Sequence, residues 1–134
     1  MDRVRDAMIT EPRSLPATAS ARQAGEILTP ADVRAVYVVG ADGELVGVLT
    51  RKTLVAKVVA GGLDPQTTIV GSIAEPPHYV IEADTGLDDA FRFLEEEDAE
   101  RVPVVEAGRL VGVLSRSVLR RRLAEDEPTG DEVG

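Results

Sequence analysis

Thr50 and Ser115 are the residues whose type and setting point most directly to chemistry. They stand 65 residues apart (115 − 50), each closing a run Leu-Val-Gly-Val-Leu and each followed by an arginine, Arg51 or Arg116. A hydroxyl at the junction of an apolar strand and a helix can accept hydrogen bonds from the free N–H groups of the first turn. The same N–H groups favour an anion. Two roles are therefore open at each junction, a plain helix cap or one wall of a phosphate site, and Lys52 beside Thr50 adds charge suited to the second. Thr53 occupies the third position after Thr50, whereas Val118 occupies it after Ser115.

Other chemistries find little support. The chain has no cysteine and a single histidine, His78, which excludes thiolate zinc sites and a cysteine nucleophile and argues against a histidine-rich metal site or a conventional triad. No glycine-rich phosphate loop or nucleophile elbow is present, and the run Glu95-Glu-Glu-Asp98 reads as solvated charge at the end of a helix. His78 beside Tyr79 reads as an ordinary strand-edge residue, and Arg120-Arg-Arg122 as an exposed helix face. The expectation is a protein that is not an enzyme.

The elements that must position the junctions are themselves repeated. Ala35-Val-Tyr-Val-Val39 answers Arg101-Val-Pro-Val-Val105, and Ile9-Thr-Glu-Pro12 answers Ile73-Ala-Glu-Pro76. Between them lie two segments of helical period, Ser20 to Leu28 and Gly86 to Glu97, with Leu87, Ala90, Phe91 and Leu94 at i, i+3, i+4 and i+7. Each half reads as a short strand, a helix, a β-hairpin and a second helix. Asp42-Gly43 between valine-rich runs marks the first hairpin, because glycine accepts positive φ. Ser20 is a cap for the first helix, and Pro30 limits it. The halves span 4–60 and 68–124, joined by a linker at 61–67, with a helical turn expected within Thr68 to Ala74. The acidic stretch 125–134 is expected to be disordered.

A chain of 134 residues with a net charge of -9 meets a nucleic-acid backbone with a repelling field, so no nucleic-acid partner is expected. No window approaches the roughly 20 apolar residues of a membrane span, and the N-terminus lacks the apolar core of a signal peptide. A cytoplasmic protein with no membrane partner is the expectation. Aromatic residues make up only 3% of the chain, so the core must be built from Val, Leu, Ile and Ala.

Taken in order, Val102-Pro-Val-Val105, the two Leu-Val-Gly-Val-Leu runs ending in Thr or Ser, and the Glu-Pro pair near each start resemble a tandem pair of CBS domains, the arrangement called a Bateman module. The resemblance covers residues 4 to about 124. Through Gly62-Leu-Asp-Pro-Gln-Thr67 and Leu110-Val-Gly-Val113 the chain is most similar to the stand-alone two-repeat proteins of actinobacteria, including the mycobacterial hypoxic-response type. The resemblance implies an α/β (α+β) fold of two pseudo-twofold-related repeats, each β-α-β-β-α with a small mixed sheet, packed sheet to sheet.

It further implies a regulatory, stress-linked sensor of adenosyl ligands such as AMP, ATP or S-adenosylmethionine, held in the cleft between repeats. A homodimer packed through its helices is implied as well, with Leu54, Val55 and Val58, or Leu119 and Leu123, as candidate contacts or as core, and with output through an effector protein. In the family the junction reads Thr/Ser-x-x-Asp, with the carboxylate on the ribose hydroxyls; here Thr53 and Val118 stand at the Asp position. The candidate ligand-binding set is Thr10, Arg34, Thr50, Lys52, Thr53, Arg101, Ser115, Arg116 and Ser117. Arg101 matches a position where nucleotide-binding modules place a basic residue, and Arg34 lies one place before its counterpart Ala35. The alternative is a ligand-free interaction module that has lost nucleotide binding.

Overall fold

The computed structural model describes residues 2–126. They form two compact units that do not follow the two sequence copies: residues 12–78 with 107–110 make one, and residues 2–11, 79–106 and 111–126 make the other.

In the first unit, β1 (Ser14–Pro16) pairs parallel with β2 (Val36–Val39), which pairs antiparallel with β3 (Leu45–Leu49) across a bulge at Val38/Val39. The β2–β3 turn places Gly43 at φ 84, a conformation that a residue with a Cβ adopts reluctantly. Helix α2 (Ala21–Ile27; the short α1, Val4–Ala7, is in the other unit) starts where expected. The Ser20 side chain accepts from the Gln23 N–H, and the Gln23 side chain returns the bond to the Ser20 N–H, a reciprocal cap that satisfies two free donors. Ala21, Ala24, Val38, Leu49, Val58, Val70 and Ile73 bury the apolar faces of these elements. The expected helical turn near 70 is a single tight turn, Val70–Ser72.

After Thr50 the chain makes one α-turn, α3 (Arg51–Thr53), and then continues as a π-helix over Leu54–Val59. The wider i→i+5 winding changes which residues face inward. Val58 is buried, whereas Val55 is 58% exposed and Val59 74% exposed. The face of Leu54, Val55 and Val58 expected from α-helical spacing is therefore split. Lys57 anchors the π-segment by donating to the Ile73 carbonyl at 3.2 Å and pairing with Glu75 at 2.8 Å.

The second unit contains α1 (Val4–Ala7), β4 (Ile81–Glu82), α4 (Leu87–Glu96), β5 (Arg101–Glu106), most of β6 (Arg109–Ser115) and α5 (Arg116–Asp126). Its sheet has the order β4-β5-β6, with β4 parallel to β5. Ala107 and Gly108, both at positive φ, make the two-residue turn that joins β5 to β6. Leu87, Ala90 and Leu94 of α4 are buried as the sequence spacing predicts, with Phe91 half-buried beside them. Leu119 of α5 is fully buried in the same core, which removes it as a candidate self-association contact, while Leu123 is half-buried. Arg5 bonds both Asp84 and Glu106, holding α1 to the sheet. Of the stretch 125–134, Glu125 and Asp126 end α5; 127–134 lie outside the described residues.

The glycine at the centre of each Leu-Val-Gly-Val-Leu run has one packing reason. Ile9 exchanges two backbone hydrogen bonds with Val113 (2.8 and 2.9 Å), and Glu75 exchanges two with Val48 (2.8 and 2.9 Å). A Cβ on Gly47 would stand 2.7 Å from the Glu75 carbonyl oxygen and 2.9 Å from the Ala74 Cβ. On Gly112 it would stand 2.8 Å from the Ile9 carbonyl oxygen and 2.7 Å from the Met8 sulfur. Each hairpin is thus extended by the lead-in segment of the other sequence copy, which passes too close for any side chain. This exchange explains why the compact units cut across the repeats.

Candidate functional site

Both strand-to-helix junctions form as the cap residues require, and the two differ in what surrounds them. At the first, the half-buried Thr50 accepts from the Thr53 N–H at 3.4 Å, and its Oγ1 lies 3.2 Å from the Thr53 hydroxyl. Thr53 is therefore turned onto Thr50, and the pair offers two hydroxyls at the start of α3. Lys52 is exposed beside them. Arg51 is directed elsewhere. Its Nη1 donates to the Leu28 and Val33 carbonyls at 2.6 and 2.7 Å, with the Pro30 carbonyl at 3.5 Å, and so closes the loop that follows α2. Arg34 is exposed and precedes β2; because Val36 pairs with Leu49, the register continued outward sets Arg34 opposite Arg51. Among the described residues no carboxylate forms an ion pair with Arg34 or Lys52, and the N–H groups of Arg51 and Lys52 have no protein acceptor.

The second junction is internally saturated. Ser115 is only 3% exposed; its Oγ accepts from the Val118 N–H at 3.4 Å and lies 3.2 Å from the Ser117 hydroxyl. The Arg116 N–H donates to the Glu100 carbonyl at 2.8 Å, and the Ser117 N–H donates to Glu100 Oε1 at 3.2 Å. The Arg116 guanidinium is held by Asp98 at 3.0 Å and Glu100 at 3.5 Å, with Glu95 at 3.9 Å. Asp98 holds that guanidinium in its charged form and outweighs the burial that opposes it. At Glu100 burial acts to raise the carboxyl pKa, but the Ser117 hydrogen bonds and the Arg116 charge prevail and hold it below the ordinary range.

The structure therefore brings Thr50, Lys52 and Thr53 together at one junction, with Arg34 at its edge, and Ser115, Arg116 and Ser117 at the other. Thr10 is exposed next to the Ile9–Val113 pairing and Arg101 is exposed at the start of β5; among the hydrogen bonds of the described residues, neither side chain reaches the Thr50 or Ser115 hydroxyl. Sequence reading overlooked Glu100 and read Glu95 and Asp98 as solvated charge, whereas both pair with Arg116. The available signal was a reversal of charge, since Arg34 precedes Ala35 where Glu100 precedes Arg101.

The CBS-domain family pattern matches residues 4–60 and 70–125. Hypoxic response protein 1 of Mycobacterium tuberculosis is 33% identical over 102 residues, covering 76% of this chain and 71% of that protein. The crystal structure of Hypoxic Response Protein I with two coordinated zinc ions aligns with a TM-score of 0.75 at 30% identity, over 91% of this chain and 99% of that one. CBSX2 of Arabidopsis thaliana, crystallised in complex with AMP, aligns with a TM-score of 0.73 at 28% identity, over 93% of this chain and 98% of that one. The donors for a zinc site are wanting here: the chain has no cysteine and one histidine, and among the described residues no group of three His, Asp or Glu side chains is placed to hold a metal. Among those residues, too, no helix is long and apolar enough to cross a membrane. With both copies of the pattern, a relative identical at a third of the aligned positions and solved CBS pairs of the same fold, the chain belongs to the CBS-domain family and carries the domain twice in tandem.

Proposed function

We propose that this CBS pair is a regulatory sensor of an adenine nucleotide, AMP foremost, bound at the first junction, and that it performs no catalysis of its own. The observation that carries the reading is the start of α3, where two hydroxyls and the cations Arg34 and Lys52 occur at one junction and, among the described residues, the Arg51 and Lys52 N–H groups meet no acceptor and the cations no acidic partner. Free N–H groups at a helix start attract phosphate, and nearby cations strengthen that attraction. Thr53 takes the position of the family's ribose-binding carboxylate. A hydroxyl offers one oxygen where a carboxylate offers two, so the ribose is held more weakly than at an aspartate. The complex of CBSX2 with AMP supports this class of ligand. ATP and S-adenosylmethionine share the adenosyl part and belong in the same test.

Binding would act by population shift, favouring whichever conformation of the pair holds the ligand more tightly. The signal then passes to an effector protein by contact, and the hypoxic-response relative supports a role in stress. The exposed Val55 and Val59 suit the two-copy assembly expected of the family. V59D should then shift the mass in light scattering from two chains to one; a wild-type protein that is already monomeric at high concentration removes the dimer.

Thermal melting with AMP, ADP, ATP, S-adenosylmethionine and NAD tests the nucleotide. A ligand at a hundred times its Kd stabilises the fold by about 2.7 kcal/mol, a rise on the order of several degrees for a chain of this size. R34A and T50V should each weaken binding by about tenfold, the loss of one charge-assisted or hydroxyl contact. Unchanged melting with every compound would leave the ligand-free interaction module, a reading that the saturated second junction favours.

A further inference from the structure

The two junctions leave the same kind of strand through the same kind of cap, so the groups around their first N–H positions can be compared one by one. At α5 the N–H groups of Arg116, Ser117 and Val118 are all met from within the chain: two by Glu100, through its carbonyl (2.8 Å) and its carboxylate (3.2 Å), and one by Ser115 (3.4 Å). A carboxylate resembles a phosphate edge in charge and in offering paired acceptor oxygens, and negative charge is favoured at a helix start. We infer that Glu100 is an internal anion seated at the start of α5, which closes the second junction to phosphate-bearing ligands and leaves, of the two junctions, only the first open to them.

The surroundings agree with that assignment. Glu95 and Asp98, at the end of α4 and just beyond it, join Glu100 around Arg116, and Arg120 of α5 bonds Glu95 at 3.0 Å. Three carboxylates thus engage these two guanidinium groups, and an entering phosphate must displace Glu100 from the helix start. Val118 adds no hydroxyl for a ribose. In the first copy, Arg34 stands in the place of Glu100 and reverses the charge at the mouth of the junction. The closure of the second junction stands on its own contacts, whereas the count of one ligand per chain rests on the nucleotide reading above.

Two measurements keep these apart. The first is a pH titration of the full chain followed by the Ser117 amide signal in proton–nitrogen NMR. The amide should move with protonation of Glu100, with a midpoint below the ordinary glutamate range, and E100A should abolish the movement. An amide indifferent to pH across the carboxylate range overturns the inference. The second is calorimetric titration with AMP: one equivalent per wild-type chain and two per E100A chain, the second the weaker. Two equivalents in the wild type, or still only one in a folded E100A, would refute the closure. If neither protein binds AMP, the nucleotide reading fails and the amide titration alone decides whether Glu100 occupies the helix start. Glu100 is exposed, and E100Q, which removes the charge and keeps an acceptor, should lose the pH response of the amide even if E100A does not fold.

Discussion

Gly47→Ala adds one methyl group where the chain has no room for it. The new Cβ would stand 2.7 Å from the Glu75 carbonyl oxygen and 2.9 Å from the Ala74 Cβ, and the first of these is backbone that cannot rotate away. Relief requires the 73–75 segment to move, which threatens the two Val48–Glu75 hydrogen bonds. Overpacking of this kind costs about 1–3 kcal/mol, and each backbone bond lost costs about 1 kcal/mol more. A total of about 2–4 kcal/mol is expected. With an unfolding entropy of about 2.1 cal/mol/K per residue, the 134-residue chain should melt roughly 7–14 °C lower. Gly25→Ala is the matched control. Gly25 lies inside α2, its added Cβ would meet only Leu54 Cδ1 at an ordinary 3.9 Å, and alanine in a helix interior gains about 0.5–1 kcal/mol over glycine. Urea unfolding of both variants decides the matter, because the same methyl group should have opposite signs at the two positions. If G47A unfolds within about 0.5 kcal/mol of the wild type, the lead-in segment does not press on β3 and the steric account of the repeated glycine is wrong.

Arg51→Met keeps an unbranched stem of similar length and deletes the donors to the Leu28 and Val33 carbonyls; a loss of about 1–3 kcal/mol is expected from the denaturation midpoint, and no loss would mean that water satisfies those carbonyls equally well. Ser20→Ala breaks the reciprocal cap with Gln23 and should cost about 1 kcal/mol, with faster amide exchange in the first turn of α2 as the second readout. Acid sensitivity follows from Asp84, held below its ordinary range first by its hydrogen bond to Arg5, and from Glu100, where the Ser117 and Arg116 contacts overcome burial. Both carboxyls are depressed in the folded state, so their stabilisation is full above the ordinary carboxylate pKa of about 4 and is lost as pH falls through the lower folded values. Stability should decline on acidification in that range, and the D84N/E100Q double variant should show a shallower decline; an equal slope would place the acid sensitivity elsewhere.

Local features were legible in the sequence where chemistry acts over a few residues. Ser20 ahead of a periodic segment announced a helix start, and Asp42-Gly43 a turn, because caps and turns depend on side chains within three or four positions of each other. The π-winding of Leu54–Val59 was not legible. Leu54, Val55 and Val58 fit an α-helical face, and only a distant contact, Lys57 on Ile73 and Glu75, accompanies the wider turn that exposes Val55. The exchange of lead-in segments was hidden for a related reason. A repeat reports that Ile9 and Ile73 are equivalent, yet it carries nothing about which hairpin each will join. Glu100 escaped notice because an acidic residue among many acids reads as solvated charge, and its contact with Ser117 spans 17 positions.

The agreement and the disagreement between the two copies have different physical origins. Gly47 and Gly112 match because a backbone carbonyl passes each so closely that an added Cβ would stand under 3 Å from it. Thr50 and Ser115 match because a helix that leaves a buried strand needs an acceptor for its third N–H, and either hydroxyl supplies it. Neither requirement reaches Arg34 and Glu100, which are exposed and fill no part of either core. Core packing therefore does not set the charge at that position; at the second copy the contacts of Glu100 with Ser117 and Arg116 do, and they stabilise the charged carboxylate. At the second copy the carboxylate that supplies the charge also binds the helix start, whereas at the first copy, among the described residues, no carboxylate pairs with Arg34.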